Sequence, residues 1–200
     1  ELGFEQPMPV QEEVIPYLLG NRNDVIALAQ TGTGKTAAFG IPLLQRIDTT
    51  SHETQAIVLS PTRELCLQIC DDLKEFSKYI PHMHIAAVYG GASIEEQIRS
   101  LRHGAQIIAA TPGRLIDLMK RGKAKLENVH NVVLDEADEM LNMGFQDSIT
   151  EILSGVPDDH NTLLFSATMS KQIETVAKGY LHDYKEIVVG SRSEGAEHVN

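Results

Sequence analysis

The stretch "AQTGTGKT", Ala29 to Thr36, closes the apolar run "DVIALA" (24–29) and decides how the rest of the chain is read. Its spacing is that of a phosphate-gripping loop, with Ala29 where the general pattern has glycine. Gly32 and Gly34 allow a tight backbone in which successive N–H groups converge on phosphate oxygens, and Thr31 and Thr33 complete the loop. A helix is expected to begin near Gly34 and to add its positive end to the same place. Lys35 then reaches the terminal phosphates, and the Thr36 hydroxyl sits on a magnesium ion. The competing reading is a glycine-rich turn that merely enters a helix. The apolar strand before it and the helical pattern after it disfavour that reading.

The rest of the composition sets bounds. Two hundred residues make one domain with room for a sizeable core. Apolar residues are 42% and charged residues 22%, ordinary for a globular chain, and no apolar run is long enough to cross a bilayer. A cytoplasmic protein with no membrane role is expected. The formal charge of −11 argues against salt-driven wrapping of nucleic acid over a broad basic face. It leaves room for binding through backbone amides and a few placed arginines. Cys66 and Cys70 are four apart in a segment of helical period, with no further soft ligands nearby; they are expected to be reduced core residues. The opening "ELGFEQP" and the patternless tail "GSRSEGAEHVN" (190–200) read as parts of a longer chain.

Seven short apolar runs alternate with helical patterns: 24–29, 55–60, 85–89, 106–110, 131–136, 162–167 and 186–190. This alternation predicts an α/β fold, a mostly parallel β-sheet with helices on both faces. Ligands in such sheets collect at the carboxyl ends of strands. Five of the runs end there in useful polar residues: the loop at 29–36, "SPTREL", "ATPGRL", "DEAD" and "SAT".

An acidic pair closing a strand downstream of a phosphate loop has a clear use. Asp135 can hold magnesium through water. Glu136 can orient a water in line with the terminal phosphate and take its proton. A dipole-suited first helical turn would also explain acids at this point, but not acids after this strand in a chain carrying Lys35 and Thr36. Hydrolysis of a nucleoside triphosphate follows from the residues alone.

The motifs "GFEQPMPVQ" (3–11), "AQTGTGKT" (29–36), "PTREL" (61–65), "GG" (90–91), "TPGR" (111–114), "DEAD" (135–138) and "SAT" (166–168) occur in one order over essentially the whole chain. In this the sequence resembles the N-terminal RecA-like domain of DEAD-box RNA helicases, in the style of the bacterial cold-shock type. Alanine is common at position 29 in that family. The resemblance implies a RecA-like P-loop NTPase domain over residues 1–190, the start of an interdomain linker at 191–200, and a second RecA-like domain that this chain does not contain. It implies ATP as substrate with Mg2+. Gln11 would read the adenine edge with its amide, and Phe4 would pack on the ring.

The resemblance also assigns an RNA track. Pro61, Thr62, Arg63, Gly90, Gly91, Thr111, Pro112, Gly113 and Arg114 would meet phosphates and ribose hydroxyls, without sequence specificity. Thr62 and Pro112 open helices whose first amides can receive phosphate. Lys120, Arg121, Lys123 and Lys125, which follow Arg114, read better as a solvated helix end. Ser166 and Thr168 would hydrogen-bond Asp138 and couple the ATP site to RNA. The resemblance further implies that the missing domain carries an arginine finger, so this piece alone, a monomer, should bind nucleotide weakly and barely hydrolyse it. The implied function is an ATP-dependent RNA helicase. The alternatives are a nucleotide-gated RNA clamp, a DNA translocase of the wider superfamily, and a P-loop kinase, which would leave "PTREL", "TPGR" and "SAT" without purpose.

Overall fold

A computed structural model describes residues 8–20, 23–30 and 34–189. The expected strands form, each within a residue or two of its sequence limits: β1 (Val25–Leu28), β2 (Ala56–Leu59), β3 (Ile85–Val88), β4 (Ile107–Ala110), β5 (Asn131–Leu134), β6 (Asn161–Ser166) and β7 (Lys185–Val188). They make one sheet in the order β3-β4-β2-β5-β6-β1-β7, and each neighbouring pair is parallel. The parallel arrangement follows from the helices between strands, which carry the chain back across the sheet.

The strands are apolar on both faces because both faces are covered. Ile57 and Leu59 enter one core cluster and Ala56 and Val58 the other, the two-residue period of a strand. One face carries α1 (Pro9–Gly20), α2 (Lys35–Gln45) and α3 (Arg63–Phe76) through Val14, Leu18, Phe39, Leu43, Ile69 and Leu73. The Phe39 ring packs on Phe165 of β6 with centroids 5.5 Å apart. The other face carries α4 (Ile94–Arg102), α5 (Pro112–Lys120), α6 (Ala137–Asn142), α7 (Gln146–Ser154) and α8 (Lys171–Tyr180). Edge strand β7 exposes Lys185 and Glu186, charges that discourage pairing with another sheet.

Cys66 and Cys70 lie buried on the sheet side of α3 and are unpaired. Burial pushes the Cys66 thiol up to about 12, so it is inert at neutral pH. This agrees with a packing role. Among the described residues no group of acids, histidines and cysteines is placed to hold a metal by itself, and no helix is long and apolar enough to cross a membrane.

Strand order sorts the carboxyl edge into two halves. β3, β4 and β2 are contiguous and lead into "GG", "TPGR" and "PTREL". β5, β6 and β1 are contiguous and lead into "DEAD", "SAT" and the phosphate loop. Strands β1 and β5 are two spacings apart, about 10 Å, a gap that one lysine side chain nearly spans.

Candidate nucleotide and RNA site

α2 begins at Lys35, directly after Gly34, as the loop pattern requires. Gly34 has φ +95°, and a Cβ there would lie 2.9 Å from Met8 Cγ and 3.0 Å from Gln11 Nε2. Both the left-handed backbone and the close approach of α1 call for glycine. Gln11 is 5% exposed. Its Oε1 accepts the Met8 N–H at 3.0 Å, and its Nε2 donates to the Gly34 carbonyl at 3.3 Å. The amide thus ties α1 to the phosphate loop. Phe4, Thr31, Gly32 and Thr33 lie outside the described residues. Thr36 sits half-buried in the first turn of α2.

Lys35 reaches across β6 to the acidic pair. Its Nζ donates to Asp135 Oδ1 at 3.0 Å and lies 4.0 Å from Glu136 Oε2. Asp135 is only 1% exposed, and the same Oδ1 accepts the Glu136 N–H at 3.0 Å. Burial pushes the Asp135 carboxyl upward while the Lys35 ammonium pulls against it. Burial likewise raises Glu136 above the ordinary carboxylate range; Lys35 opposes this, and Asp135, Asp138 and Glu139 add to it.

The sequence pattern carried the strand through Glu136, but β5 stops at Leu134. Glu136 adopts φ 49°, ψ 52°, a left-handed conformation that turns the chain sharply into α6. A non-glycine residue held there costs on the order of 1–2 kcal/mol, strain of the kind stored at functional sites. The turn sets the Glu136 carboxylate beside Lys35 instead of along the strand.

The residues of "SAT" are brought to Asp138, with one difference from expectation. Thr168 Oγ1 and the Ala167 N–H each donate to Asp138 Oδ2 at 3.3 Å. The Ser166 hydroxyl does not bond Asp138; it donates to the Thr168 carbonyl at 2.7 Å and accepts the Thr168 N–H at 3.3 Å. Ser166 ends β6 and is 2% exposed, and its hydroxyl is spent closing a local turn.

On the other half of the edge, Thr62 caps α3 by accepting the Leu65 N–H at 3.2 Å, and Pro112 is the first residue of α5 with Thr111 before it. Both helix starts open toward the carboxyl edge, as expected; Pro61 is buried beneath, while Gly90, Gly91 and Gly113 are exposed. Gly91 has φ +84°. The Arg63 guanidinium lies 5.2 Å above the Tyr89 ring and donates to the Gly91 carbonyl at 3.4 Å. Arg114 Nη1 donates to the Ala92 carbonyl at 3.2 Å and to Gln97 Oε1 at 2.9 Å.

The basic residues after Arg114 separate from it. α5 runs back over the sheet for nine residues, about 13 Å. Arg121 there pairs with Asp117 at 3.0 Å and Lys120 with Glu151 at 3.9 Å. Lys123 and Lys125 line a cavity of about 370 Å³ at the amino ends of β2 and β4, and a polar cavity of about 460 Å³ opens at the amino ends of β5 and β6. Neither touches the acidic pair.

Among the buried polar residues that carry no motif, Gln97 and Asp24 have the most consequence for the carboxyl and amino edges. Gln97 interrupts the apolar stripe Ile94, Ile98, Leu101 of α4, and a polar residue inside such a stripe was the available signal. Asp24 opens β1 and accepts from Thr162 N at 2.8 Å, Asn161 Nδ2 at 3.0 Å and His182 N at 2.7 Å. Its only signal was an acid at a strand start.

A phosphate loop and an acidic pair at the carboxyl edge of a parallel sheet define a RecA-like nucleotide-binding α/β domain. Comparison with known proteins names the family. The DEAD/DEAH box helicase family model matches residues 8–176, and the chain belongs to that family. It is 46% identical over 191 residues to the ATP-dependent RNA helicase DeaD of Escherichia coli strain K12, covering 96% of this chain and 30% of that protein. The DeaD protein of Haemophilus influenzae is 44% identical over 200 residues, covering 100% of this chain and 32% of that one. The chain therefore spans about a third of the length of these curated relatives. A DEAD box protein from Methanococcus jannaschii superposes with TM-score 0.88 at 44% identity, covering 94% of this chain and 51% of that one. A yeast DEAD-box splicing factor does so with TM-score 0.88 at 35% identity, covering 95% and 47%.

Proposed function

We propose that this chain is the ATP-binding half of an ATP-dependent RNA helicase, working with a second RecA-like domain of the same natural protein. The observation that carries the reading is Lys35 Nζ, 3.0 Å from Asp135 and 4.0 Å from Glu136, at the end of the phosphate loop. The oxygen donors there, the Asp135 carboxylate and the Thr36 hydroxyl, suit a hard cation, so the residues fit magnesium. Bound with ATP, magnesium would neutralise charge on the transferring phosphate.

The chain's own groups do the rest. Lys35 exchanges Asp135 for phosphate oxygens. The Glu136 carboxylate aligns a water with the terminal phosphorus and accepts its proton as the bond to the bridging oxygen breaks. A raised affinity for that proton suits a general base. Gln11, held against Gly34, places an amide beside the loop for the adenine edge. Arg63, Arg114, the exposed glycines and the helix starts at Thr62 and Pro112 provide cationic and amide donors for an RNA backbone. Asp138 and Thr168, hydrogen-bonded to each other within the β5-β6-β1 half, would couple it to the other half, with Ser166 bracing the Thr168 backbone.

Glu136→Gln tests the reading in the intact protein. It should lower ATP turnover at least a hundredfold while sparing ATP-dependent RNA binding. Turnover within a fewfold of wild type would remove Glu136 from the chemistry. Loss of helicase activity separates an unwinding enzyme from a clamp only if wild type opens a short duplex in the same assay.

A further inference from the structure

We propose that Gln97 is a positioning residue for RNA binding, holding Arg114 and the Tyr89–Ala92 loop in one arrangement through a neutral amide. The proposal rests on the reading of these segments as the RNA track.

Gln97 is 7% exposed within an otherwise apolar stripe, so its amide must find partners. It finds three. Nε2 donates to the Tyr89 carbonyl at 3.0 Å, and Oε1 accepts both the Tyr89 N–H at 3.3 Å and Arg114 Nη1 at 2.9 Å. The local strand geometry explains why Tyr89 is available. β3 is an edge strand, and the Val88 carbonyl is taken by the Thr111 N–H from the β4 side. Polar groups of successive strand residues point to opposite sides, so those of Tyr89 face the open edge. The Gln97 amide supplies the rung that a missing strand would have made. It fixes the backbone directly before Gly90 and Gly91, where glycine would otherwise leave the loop loose.

The same amide sets Arg114. Both of that guanidinium's bonds, to Gln97 and to the Ala92 carbonyl, use Nη1 and neutral oxygens, leaving Nε and Nη2 outside these contacts. A carboxylate at position 97 would orient the guanidinium equally well but would neutralise it. Glutamine orients the arginine and keeps its charge for phosphate. Gln97 therefore joins three elements of the track: Arg114 directly, the glycine loop through Tyr89, and Arg63 through the Tyr89 ring on which it stacks.

The test measures ATP-dependent affinity of the intact protein for single-stranded RNA across a salt series, alongside nucleotide affinity without RNA. Gln97→Met keeps the volume and removes all three bonds. It should weaken RNA binding about tenfold and leave nucleotide affinity within about twofold. Combined with Arg114→Ala it should cost clearly less than the two single effects multiplied, because both changes remove the Gln97–Arg114 bond. Gln97→Glu should flatten the salt dependence by about 0.7 in log–log slope, one phosphate's share on a single strand. Wild-type RNA affinity in Gln97→Met, additivity with Arg114→Ala, or an equal fall in nucleotide affinity overturns the proposal. If Gln97→Met fails to fold, an unchanged salt slope in Gln97→Glu overturns it. If Arg63→Ala and Arg114→Ala also leave RNA affinity untouched, the RNA-track reading itself has failed.

Discussion

Two aspartates are buried almost equally at opposite edges of the same sheet, Asp24 at 4% exposure and Asp135 at 1%, and they do opposite things. Asp24 sits where β1 begins and accepts from fixed N–H donors of β6 and of the entry to β7, with the exposed His182 ring Nδ1 3.9 Å away. Its charge is matched by parts of the framework that have nowhere else to go. Asp135 sits where β5 ends and is held by a single flexible cation and by the amide of its neighbour. Burial itself and the nearby Asp138 work against its charge. One carboxylate is finished by its own fold. The other is satisfied by a lysine that, on the proposed function, a phosphate would draw away. Burial alone does not distinguish an acid locked into its framework from one poised at the proposed nucleotide site; the nature of its partners does.

Lys35→Ala is the strongest way to break the contrast. It removes the proposed phosphate ligand and leaves Asp135 buried without a cation, so nucleotide affinity should fall at least a hundredfold and stability by about 3 kcal/mol. Calorimetric titration and urea melts of the nucleotide-free protein read both effects. Unchanged stability would show that Asp135 never depended on Lys35. Asp24→Ala comes next. It strands three donors and should cost about 2–4 kcal/mol in the same melts, with nucleotide affinity unchanged in whatever fraction remains folded. A variant that keeps its stability but loses nucleotide would abolish the distinction between the edges.

The smallest effect concerns pH. Glu136 has its folded-state affinity for protons raised, so the stability associated with its neutral form is present below the ordinary glutamate range. That stability is lost as pH rises through the folded value. Magnesium-free wild type should therefore weaken relative to Glu136→Gln as pH rises from the ordinary glutamate range through the raised folded-state value. The glutamine variant should melt roughly 1–3 °C higher at neutral pH. A difference that shrinks with rising pH would mean that Lys35 outweighs burial at this carboxylate.

The same contrast marks how far the sequence could be read. The meeting of Lys35 with Asp135 and Glu136 lies where the sequence expected a nucleotide site, because the residues concerned sit in short local motifs: a loop that begins a helix, acids that end a strand. The expected parallel α/β sheet is present because each strand and helix announces itself in a few residues of period two or of three to four. Ser166 was placed on the wrong partner. A hydroxyl at a strand end can close its own turn or reach a neighbouring element, and spacing cannot choose between them. Gln97 and Asp24 were missed for a related reason. A single polar residue in an apolar stripe, or at a strand start, carries no local mark of the group it will meet.

The sequence by itself determined the elements, their apolar faces and the start of α2 directly after Gly34, since these depend on periodicity and on a few contiguous residues. Only the tertiary structure decided that Lys35 would meet Asp135, 100 positions away, across the intervening β6. It also set Glu136 in a left-handed turn and gathered Gln97, Tyr89 and Arg114 around one amide. Those outcomes depend on strand order and on which buried polar groups remain unpaired once the sheet has formed, and both are properties of the assembled chain as a whole.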